Sequence, residues 1–382
     1  MRLALAGGGT GGHVVPGLHL LEHLRARQAV PEDVLWFSAG RGVEERVLAR
    51  LSERAGVLPL ERVVLALEPG TSGPPSWLRL FVRTTPEARR ARAALGRHRS
   101  EVLLALGGYT ALPAVLAARS LGIPVVLLEI NSVAGKATRA LAGLAERVVH
   151  AWPASMPRAG VLRRGARHQA RHRCFGPPLA PAFQSPASGE EERARAREGL
   201  GFRPAEPLLL VLGGSQGAGA LNRFLAAHAG DLVGAGVQVL HQTGPGRLAE
   251  AAAPVAGYRA LEYLDDVAGA LDAATLVLCR GGASTLAEIA ARARPALVVP
   301  YPHHRDRHQE HNALALGAGV RVVPEERLDA ALVATLARLA GQGGARERAS
   351  MSRALARAVP RDGVQRLADE LLLVAQRFRT KA

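Results

Sequence analysis

The chain has few cysteines, few aromatic residues and no long apolar run. Cys174 and Cys279 are the only cysteines among 382 residues, which argues against a disulfide framework and predicts a reducing compartment. No uninterrupted apolar run reaches the roughly 20 residues that span a bilayer. The sequence enters a strand-like segment at Arg2–Ala6 without a leader pattern, so we expect a cytoplasmic protein.

Several chemical signatures are also missing from the sequence. It contains no Asp-x-Asp pair and no His/Cys cluster with ligand spacing, so we expect neither a metal nor another cofactor. The absence of a Gly-x-x-x-x-Gly-Lys-Ser/Thr motif argues against P-loop phosphoryl transfer. Aromatic residues make up 4% of the chain, too few for the stacking platforms of a nucleic-acid-binding protein. We therefore expect no nucleic-acid partner.

Positive charge is abundant and unevenly distributed. The formal net charge is +16; residues 1–189 contain 25 Lys and Arg against 12 Asp and Glu, whereas the remainder contains 24 against 21. The first part therefore carries +13 and the second +3. A basic N-terminal half predicts attraction to a polyanion, either nucleic acid or an anionic membrane surface, with generic surface charge as the alternative.

Length and periodicity predict two α/β domains. A chain of 382 residues exceeds the size at which a single core stops growing. Short apolar runs alternate with helical stretches, which is typical of parallel sheets covered on both faces. The strands are predicted near 2–6, 34–38, 61–66, 102–106, 124–128, 147–150, 173–176, 207–212, 236–241, 258–262, 275–279, 295–299 and 319–323. Helices are predicted after Gly12 and Gly42, and over 113–121, 133–145, 190–198, 217–229, 284–292, 308–317, 327–340 and 364–378.

Three of the predicted strands run into a glycine-rich turn that opens a helix. These turns are Gly7–His13, Gly213–Gly219 and Arg280–Thr285. Glycine lets the backbone amides of such a turn point at an anion, and the helix N-terminus adds favourable partial charge. The distribution predicts two doubly wound domains that bind a nucleotide diphosphate. The first turn alone also fits a dinucleotide fingerprint, with Arg41 available for a 2′-phosphate, so an NADP enzyme remains an alternative.

An ordered set of motifs resembles the MurG family of UDP-N-acetylglucosamine-dependent glycosyltransferases over residues 1–360. The resemblance implies a GT-B fold, in which two Rossmann-like doubly wound domains face each other across a cleft. The motifs are Gly8-Gly9-Thr10-Gly11-Gly12-His13, Gly107-Gly108-Tyr109, Glu129-x-Asn131, Gly213-Gly214-Ser215-Gln216-Gly217-Ala218, His241-Gln242-Thr243-Gly244, Asp265-Asp266, the run from Cys279 to Glu288, and Asp306-Arg307-His308-Gln309.

The resemblance also implies domain limits and an activity. An acceptor- and membrane-binding domain is expected at 1–178, with a helix at 361–382 packing back on it, and a UDP-GlcNAc-binding domain at 179–360. The implied reaction is inverting transfer of N-acetylglucosamine to the 4-hydroxyl of lipid I, at the cytoplasmic face of the membrane. Cell-wall synthesis proteins are possible partners. The alternatives are a UDP-GlcNAc 2-epimerase and a transferase with another acceptor.

The same resemblance implies which residues bind the donor. Ser215 and the amides around it hold the diphosphate, which can replace a metal. Glu288 accepts the ribose hydroxyls, Leu264 offers backbone contacts to the uracil, and Gln309 contacts the transferred sugar. Asn131 contacts the donor from the other domain; its alternative reading is a helix cap before Val133. The remaining predicted donor contacts are Thr10, Gly11, Gly12, Gln216, Arg280, Ala283, Ser284, Thr285, Leu286 and Ala287.

His13 is the residue we predict to be the general base. It begins a helix whose dipole disfavours the imidazolium form, which suits removal of the acceptor hydroxyl proton. Its alternative role is to cap the loop or contact the acceptor diphosphate. Glu129 is the second candidate, with a structural hydrogen-bonding role as its alternative. Gly107, Gly108 and Tyr109 are predicted to bind the acceptor diphosphate.

A membrane-binding patch is predicted where apolar residues precede a run of arginines. Trp77, Leu78, Leu80 and Phe81 fall within one and a half helical turns, which is typical of a helix in the interface of an anionic bilayer. Packing of these residues into the core is the alternative. The arginines that follow are Arg89, Arg90, Arg92, Arg97 and Arg99.

Two segments and one single residue depart from the family pattern. The family usually has Gly-Asn-Pro-Val-Arg where this chain has Gly176-Pro177-Pro178-Leu179-Ala180, so Ala180 replaces an arginine that contacts the donor. Ile130 stands where a glutamine is usual. The basic segment Arg158–Arg173 matches no part of the family pattern.

Overall fold

The structure is a computed structural model that describes residues 1–8, 11–42, 44–45, 60–66, 76–157, 169–185, 189–304 and 306–380, with the backbone alone at 11 and 76–83. The chain divides into two compact units. Unit 1 combines Met1–Pro181 with Arg361–Ala382, and unit 2 is Ala182–Pro360.

Unit 1 contains a seven-stranded parallel sheet in the order β3-β2-β1-β4-β5-β6-β7. Its central strands, β1 and β4, are buried along almost their whole length because helices cover both faces. The strands are β1 Arg2–Gly7, β2 Asp33–Ser38, β3 Leu60–Val64, β4 Val102–Gly107, β5 Val125–Glu129, β6 Arg147–His150 and β7 His172–Cys174.

Unit 2 repeats this order with six strands, as β10-β9-β8-β11-β12-β13. Both sheets place the first strand of the unit beside the fourth, which is the order of a doubly wound fold. The strands are β8 Leu208–Leu212, β9 Gln238–Gln242, β10 Tyr258–Leu261, β11 Leu276–Cys279, β12 Ala296–Val298 and β13 Val320–Val322. All the strands predicted from the sequence are confirmed, each within two residues of its predicted ends.

The helices alternate with these strands. They are α1 Gly11–Ala26, α2 Ser76–His98, α3 Ala111–Ser120, α4 Lys136–Leu141, α5 Glu190–Gly199, α6 Gly219–Gly234, α7 Val267–Ala273, α8 Ala283–Ala291, α9 His308–Leu314, α10 Ala330–Ala340, α11 Ala345–Leu355 and α12 Gly363–Arg379. Within the described ranges, none of them has the length and apolarity needed to cross a membrane.

The predicted helices are largely confirmed, with one correction. The helix expected over 133–145 begins only at Lys136 and continues as a 3₁₀ turn at Ala142–Leu144. The helix expected after Gly42 lies mostly outside the described residues. Helices α7 and α11 were not predicted; α7 has a start signal that was overlooked, since Asp266 caps it by accepting a hydrogen bond from the Gly269 amide at 2.8 Å.

Helix α12 packs on unit 1 although it is the last element of the chain. Its apolar face is buried, including Val364, Leu367 and Leu371. At its start, a Cβ atom on Gly363 would lie 2.5 Å from the carbonyl oxygen of Pro177. Glu370 accepts a hydrogen bond from Arg147 Nε at 2.7 Å. Apolar burial therefore holds this helix in place, and the ion pair adds a polar contact with β6.

Candidate active site

In each unit, the two central strands end side by side in glycine-rich turns. In unit 1, β1 pairs with β4, and these strands lead into Gly7–Gly8 and Gly107–Gly108. In unit 2, β8 pairs with β11, and they lead into Gly213–Gly219 and Arg280–Gly282. Ligands of doubly wound sheets bind where neighbouring strands connect in opposite directions. Each unit therefore has one candidate ligand site built from two turns.

His13 lies in the first turn of α1 and packs against the second turn of unit 1. A Cβ atom on Gly107 would lie 3.0 Å from Cδ2 of His13 and 3.2 Å from Nε2, and one on Gly108 would lie 3.4 Å from Nδ1. Both glycines have positive φ, at 97° and 77°, which other residues rarely adopt. The imidazole therefore packs directly against the backbone of these two glycines. The structure brings the predicted base next to the predicted acceptor turn.

Tyr109, predicted for the acceptor, and Thr10, Gly11 and Gly12, predicted for the donor, have different surroundings. Tyr109 is 55% exposed, so its ring is accessible to a ligand. Gly11 and Gly12 are the first residues of α1, where amides lack intrahelical acceptors. Thr10 lies outside the described residues.

Glu44 supports the first glycine turn and was not identified from the sequence. Its side chain is fully buried, and Oε2 accepts hydrogen bonds from the amides of Ala39 at 2.8 Å and Gly40 at 3.1 Å. A Cβ atom on Gly8 would lie 3.0 Å from Oε1. Glu44 therefore ties the end of β2 to the turn after β1. Its only sequence signal is an acidic residue within a basic segment.

Glu129 organises the loop between β5 and α4. The side chain is buried, and Oε1 accepts hydrogen bonds from the backbone amide and the Nδ2 amide of Asn131 at 2.9 and 3.3 Å. Oε2 accepts from the Gly135 amide at 2.8 Å and from Thr138 Oγ1 at 2.6 Å. Both oxygens are thus occupied, which favours the hydrogen-bonding role over the role of a base.

Asn131 follows this carboxylate and does not cap a helix. The residue before α4 is Gly135, so the helix-cap reading of Asn131 is wrong. Its side chain instead donates to Glu129, and the donor contact predicted for it stays a prediction.

The turn after β8 presents backbone amides. Gly214 and Gly217 have positive φ, at 81° and 72°, and the Gly217 amide closes the turn on the Gly214 carbonyl at 3.0 Å. The amides of Ser215 and Gln216 donate to no group in the described part of the chain. Helix α6 begins directly behind them at Gly219. Free amides at a helix N-terminus form an anion site.

Arg280, in the turn after β11, is held by several contacts within unit 2. It is buried and donates to the carbonyls of Val299 at 3.1 Å and Pro300 at 3.4 Å. Its Nη2 atom lies 2.6 Å from Oε2 of Glu325, and the guanidinium stacks 5.7 Å from the centre of the Tyr301 ring. The predicted donor contact of Arg280 stays a prediction, but these partners occupy the guanidinium.

At the start of α8, some side chains are buried in the core and others are accessible. Ala283, Leu286 and Ala287 are buried, so their side chains belong to the core and can offer a ligand only backbone atoms. Ser284 and Thr285 are half-buried, which leaves their hydroxyls as the accessible polar groups of this segment.

Gln309 and Asn312 clamp the glycine after Arg280. Gln309 Oε1 accepts from the amides of Gly281 at 3.2 Å and Tyr301 at 3.0 Å. Asn312 is fully buried and donates from Nδ2 to the Gly281 carbonyl at 3.1 Å. Gln309 therefore has its oxygen committed and its Nε2 donor available for a sugar hydroxyl. Asn312 was missed because its role depends on a contact across 31 residues.

Glu288 is a half-buried carboxyl on α8. Burial raises its pKa to about 8, because water is removed from the charged form. No hydrogen-bond donor among the described residues reaches it. A strongly shifted carboxyl without an internal partner, beside a glycine turn, has the properties of a ligand-binding group.

The remaining predicted site residues are placed as follows. Leu264 is buried, which leaves only its backbone for a ligand. Trp77, Leu78, Leu80 and Phe81 lie on α2, but their side chains lie outside the described residues. In the described ranges, no group of three or more His, Cys, Asp or Glu residues could hold a metal ion.

Comparison with known structures bears on the fold. The chain is similar to the crystal structure of MurG from Acinetobacter baumannii, with a TM-score of 0.69 and 24% identity over 97% of this chain and 98% of that one. It is also similar to a putative UDP-N-acetylglucosamine 2-epimerase from Listeria monocytogenes, with a TM-score of 0.65 and 14% identity over 97% and 94%. At these identities transferases and epimerases share the architecture, and the predicted GT-B fold is confirmed.

Comparison of sequences distinguishes between transferases and epimerases. Residues 3–150 match the glycosyltransferase family 28 N-terminal domain, and residues 208–367 match its C-terminal domain. A UDP-N-acetylglucosamine--N-acetylmuramyl-(pentapeptide) pyrophosphoryl-undecaprenol N-acetylglucosamine transferase from Sorangium cellulosum is 39% identical over 100% of this chain and 90% of its own length. The transferase of the same name from Cronobacter sakazakii is 37% identical over 98% of both chains. The chain therefore belongs to this MurG family of glycosyltransferases.

Proposed function

We propose that the protein transfers N-acetylglucosamine from UDP-N-acetylglucosamine to the 4-hydroxyl of the N-acetylmuramyl residue of lipid I, giving lipid II. The observation that carries this proposal is the identity of 37–39% with transferases of that activity along essentially the whole chain. The paired glycine turns in each unit support it, because donor and acceptor each contain a diphosphate.

Unit 2 provides the groups that the donor requires. The amides of Ser215 and Gln216 and the N-terminus of α6 receive the diphosphate, whose negative charge grows as UDP leaves. Glu288 accepts the ribose hydroxyls, and the backbone at Leu264 contacts the uracil. Gln309 donates from Nε2 to a hydroxyl of the transferred sugar. The leaving group is thus stabilised by fixed dipoles.

Unit 1 provides the acceptor site. The turn at Gly107–Tyr109 receives the acceptor diphosphate, and the imidazole of His13 takes the proton of the 4-hydroxyl. The freed oxygen attacks the anomeric carbon while the bond to UDP breaks, so the configuration inverts to a β-1,4 linkage. His13 is suited to this step because it lies against the same turn.

A product assay tests this function directly. The purified protein, UDP-N-acetylglucosamine and a lipid I analogue should give a product heavier by one N-acetylhexosamine, detected by mass spectrometry. Turnover should persist in EDTA, since fixed amides stabilise the diphosphate. Release of free N-acetylmannosamine or its UDP derivative without an acceptor would instead identify an epimerase. Transfer only to another acceptor would contradict lipid I as the substrate.

We also propose that α2 attaches the protein peripherally to the anionic cytoplasmic leaflet. The exposed arginines Arg89, Arg90, Arg92 and Arg97 of α2, together with Arg99 directly after it, form a cationic band that follows the apolar segment. The neighbouring helix α3 adds Leu116, which is 40% exposed. A cationic band beside apolar residues is typical of an interfacial helix.

Vesicle sedimentation measures this attachment. Anionic vesicles should retain the wild type, and less so as salt increases, because salt screens the arginines. A Trp77/Leu80/Phe81→Ser variant should lose retention while keeping its UDP affinity. Leu373→Ser on α12, where Leu373 is 40% exposed, serves as the matched control and should bind vesicles normally. Equal retention of both variants would show that the apolar residues of α2 pack internally.

A further inference from the structure

We propose that Asn222 is a positioning residue for the donor diphosphate, acting through the carbonyl of Thr243 on which the Gly213–Gly219 turn rests. This inference goes beyond the proposed function in assigning a residue that lies below the ligand-binding surface, and it depends on that function for the identity of the ligand. Asn222 lies on α6 and is fully buried.

The contact between the turn and its support is direct. Asn222 Nδ2 donates to the Thr243 carbonyl at 3.0 Å, directly after β9. Gly217 packs against the same backbone, since a Cβ atom there would lie 2.9 Å from Cα of Gly244. The turn therefore has no side chain between itself and residues 243–244. A shift of this backbone would move the amides of Ser215 and Gln216.

The orientation of the Asn222 amide is determined by its neighbours. Its Nδ2 atom also donates to Oε2 of Glu250 at 2.9 Å, and neither a carbonyl nor a carboxylate can donate in return. Oδ1 must then accept, and its partner is Nε2 of His241 at 3.0 Å. Because His241 donates from Nε2, its Nδ1 accepts from the Tyr258 hydroxyl at 2.8 Å.

These contacts form a chain of hydrogen bonds that all run in one donor-to-acceptor direction, from Tyr258 through His241 and Asn222 to Thr243. Tyr258 in turn accepts from the amide of Ala252 at 3.2 Å. His241 must stay neutral for the chain to hold, and burial lowers its pKa to about 4. Every buried donor in the chain thus has one acceptor, which makes such a network rigid.

The other end of the network places a cation beside the same turn. Glu250 pairs with Arg247, at 2.8 Å from Nε and 2.9 Å from Nη2. The Arg247 guanidinium fills the space that a side chain at Gly219 would take, with Nη2 2.6 Å from a Cβ placed there. Through Glu250, Asn222 therefore also holds a positive charge at the start of α6. The network serves the phosphate end of the donor.

Ligands with and without phosphates separate this role from a general one. In Asn222→Ala, the affinity for UDP should fall about tenfold or more, because Thr243 and Glu250 lose their donor. The affinity for uridine should stay within about twofold, because Glu288 lies on another helix. Calorimetry for UDP and ligand-observed NMR for uridine measure the two values. Equal losses for both ligands, or none for UDP, would overturn the inference.

Two further variants complete the test. Leu355→Ala on α11, where Leu355 is fully buried, is the control for lost stability and should leave the ratio of UDP to uridine affinity unchanged. Tyr258→Phe removes only the hydroxyl that orients His241 and should weaken UDP binding by about two- to threefold.

The double variant Asn222→Ala/Tyr258→Phe decides whether these two residues act through one chain of hydrogen bonds. It should bind UDP no more weakly than Asn222→Ala, since one chain broken twice loses little more. If Asn222→Ala does not fold, Tyr258→Phe decides alone, and unchanged UDP affinity overturns the inference. A wild type that does not bind UDP would contradict the proposed function instead.

Discussion

Replacing Glu288 by glutamine should stabilise the folded protein at neutral pH and weaken UDP binding at the same time. The carboxyl titrates near 4.5 in the unfolded chain, and burial raises its pKa to about 8 in the folded one. Between these values the folded state binds more protons, so this group makes stability fall as pH rises from 4.5 to 8. Glutamine does not titrate. We expect a gain of about 2 kcal/mol at pH 7.5, reduced from the full shift because water reaches the half-buried carboxyl.

UDP should bind the glutamine variant about ten- to a hundredfold more weakly, because a charged acceptor of two ribose hydroxyls is lost. In the wild type, binding should release a proton at pH 7, which calorimetry in buffers of different ionisation enthalpy detects. Thermal unfolding from pH 5 to pH 8 measures the gain in stability.

Glu198→Gln is the matched control for Glu288, since Glu198 is exposed on α5 of the same unit. It should change neither the unfolding profile nor the UDP affinity. If the Glu288 variant followed the wild type in both measurements, the carboxyl would be neither desolvated nor in contact with the nucleotide.

Loss of the His13 imidazole should lower turnover by roughly 10²–10⁴, the usual contribution of a general base. The ring lies against Gly107 and Gly108. It is therefore beside the turn proposed to bind the acceptor, whose hydroxyl proton it would remove. His13→Ala and His13→Gln should both show the loss, since glutamine keeps a polar side chain but not a base. The measurement is kcat at saturating concentrations of both substrates.

His19→Gln tests whether any histidine on α1 would give this result. Its Nδ1 atom lies 2.9 Å from the Pro178 carbonyl, so its loss affects packing rather than the acceptor turn. It should leave kcat within about threefold of the wild type. A His13 variant with near-normal kcat would assign the proton transfer to another group, and the four hydrogen bonds to Glu129 would then need to open for that carboxylate to act.

The fold was predictable because its signals are local. Each central strand is a short apolar run, and a glycine turn marks where it ends, so the strands and the doubly wound class of both units followed from their alternation with helices. From the residues alone, the site was predictable only within these turns, as for His13 and the glycine amides. Family resemblance added the roles of Ser215, Glu288 and Gln309.

The residues that support the turns could not be predicted from the sequence. Glu44 binds the backbone at the end of β2, and Asn222 reaches Thr243 across 21 residues. Both act through backbone groups, which carry no residue-specific signal. The prediction of a helix over 133–145 was wrong at its start for a related reason: the carboxylate of Glu129 accepts a hydrogen bond from the Gly135 amide, and the helix begins only at Lys136.

Helix α12 has a consequence for the order in which the protein assembles during synthesis. Unit 2 is one continuous segment, Ala182–Pro360, whereas unit 1 needs both Met1–Pro181 and Arg361–Ala382. A ribosome that has made the first 181 residues has therefore not yet made the helix that covers their sheet. Until it emerges, the apolar surface that receives Val364, Leu367 and Leu371 stays open to water. Unit 2 has its whole sequence before unit 1 does, so the domain that begins first is completed last.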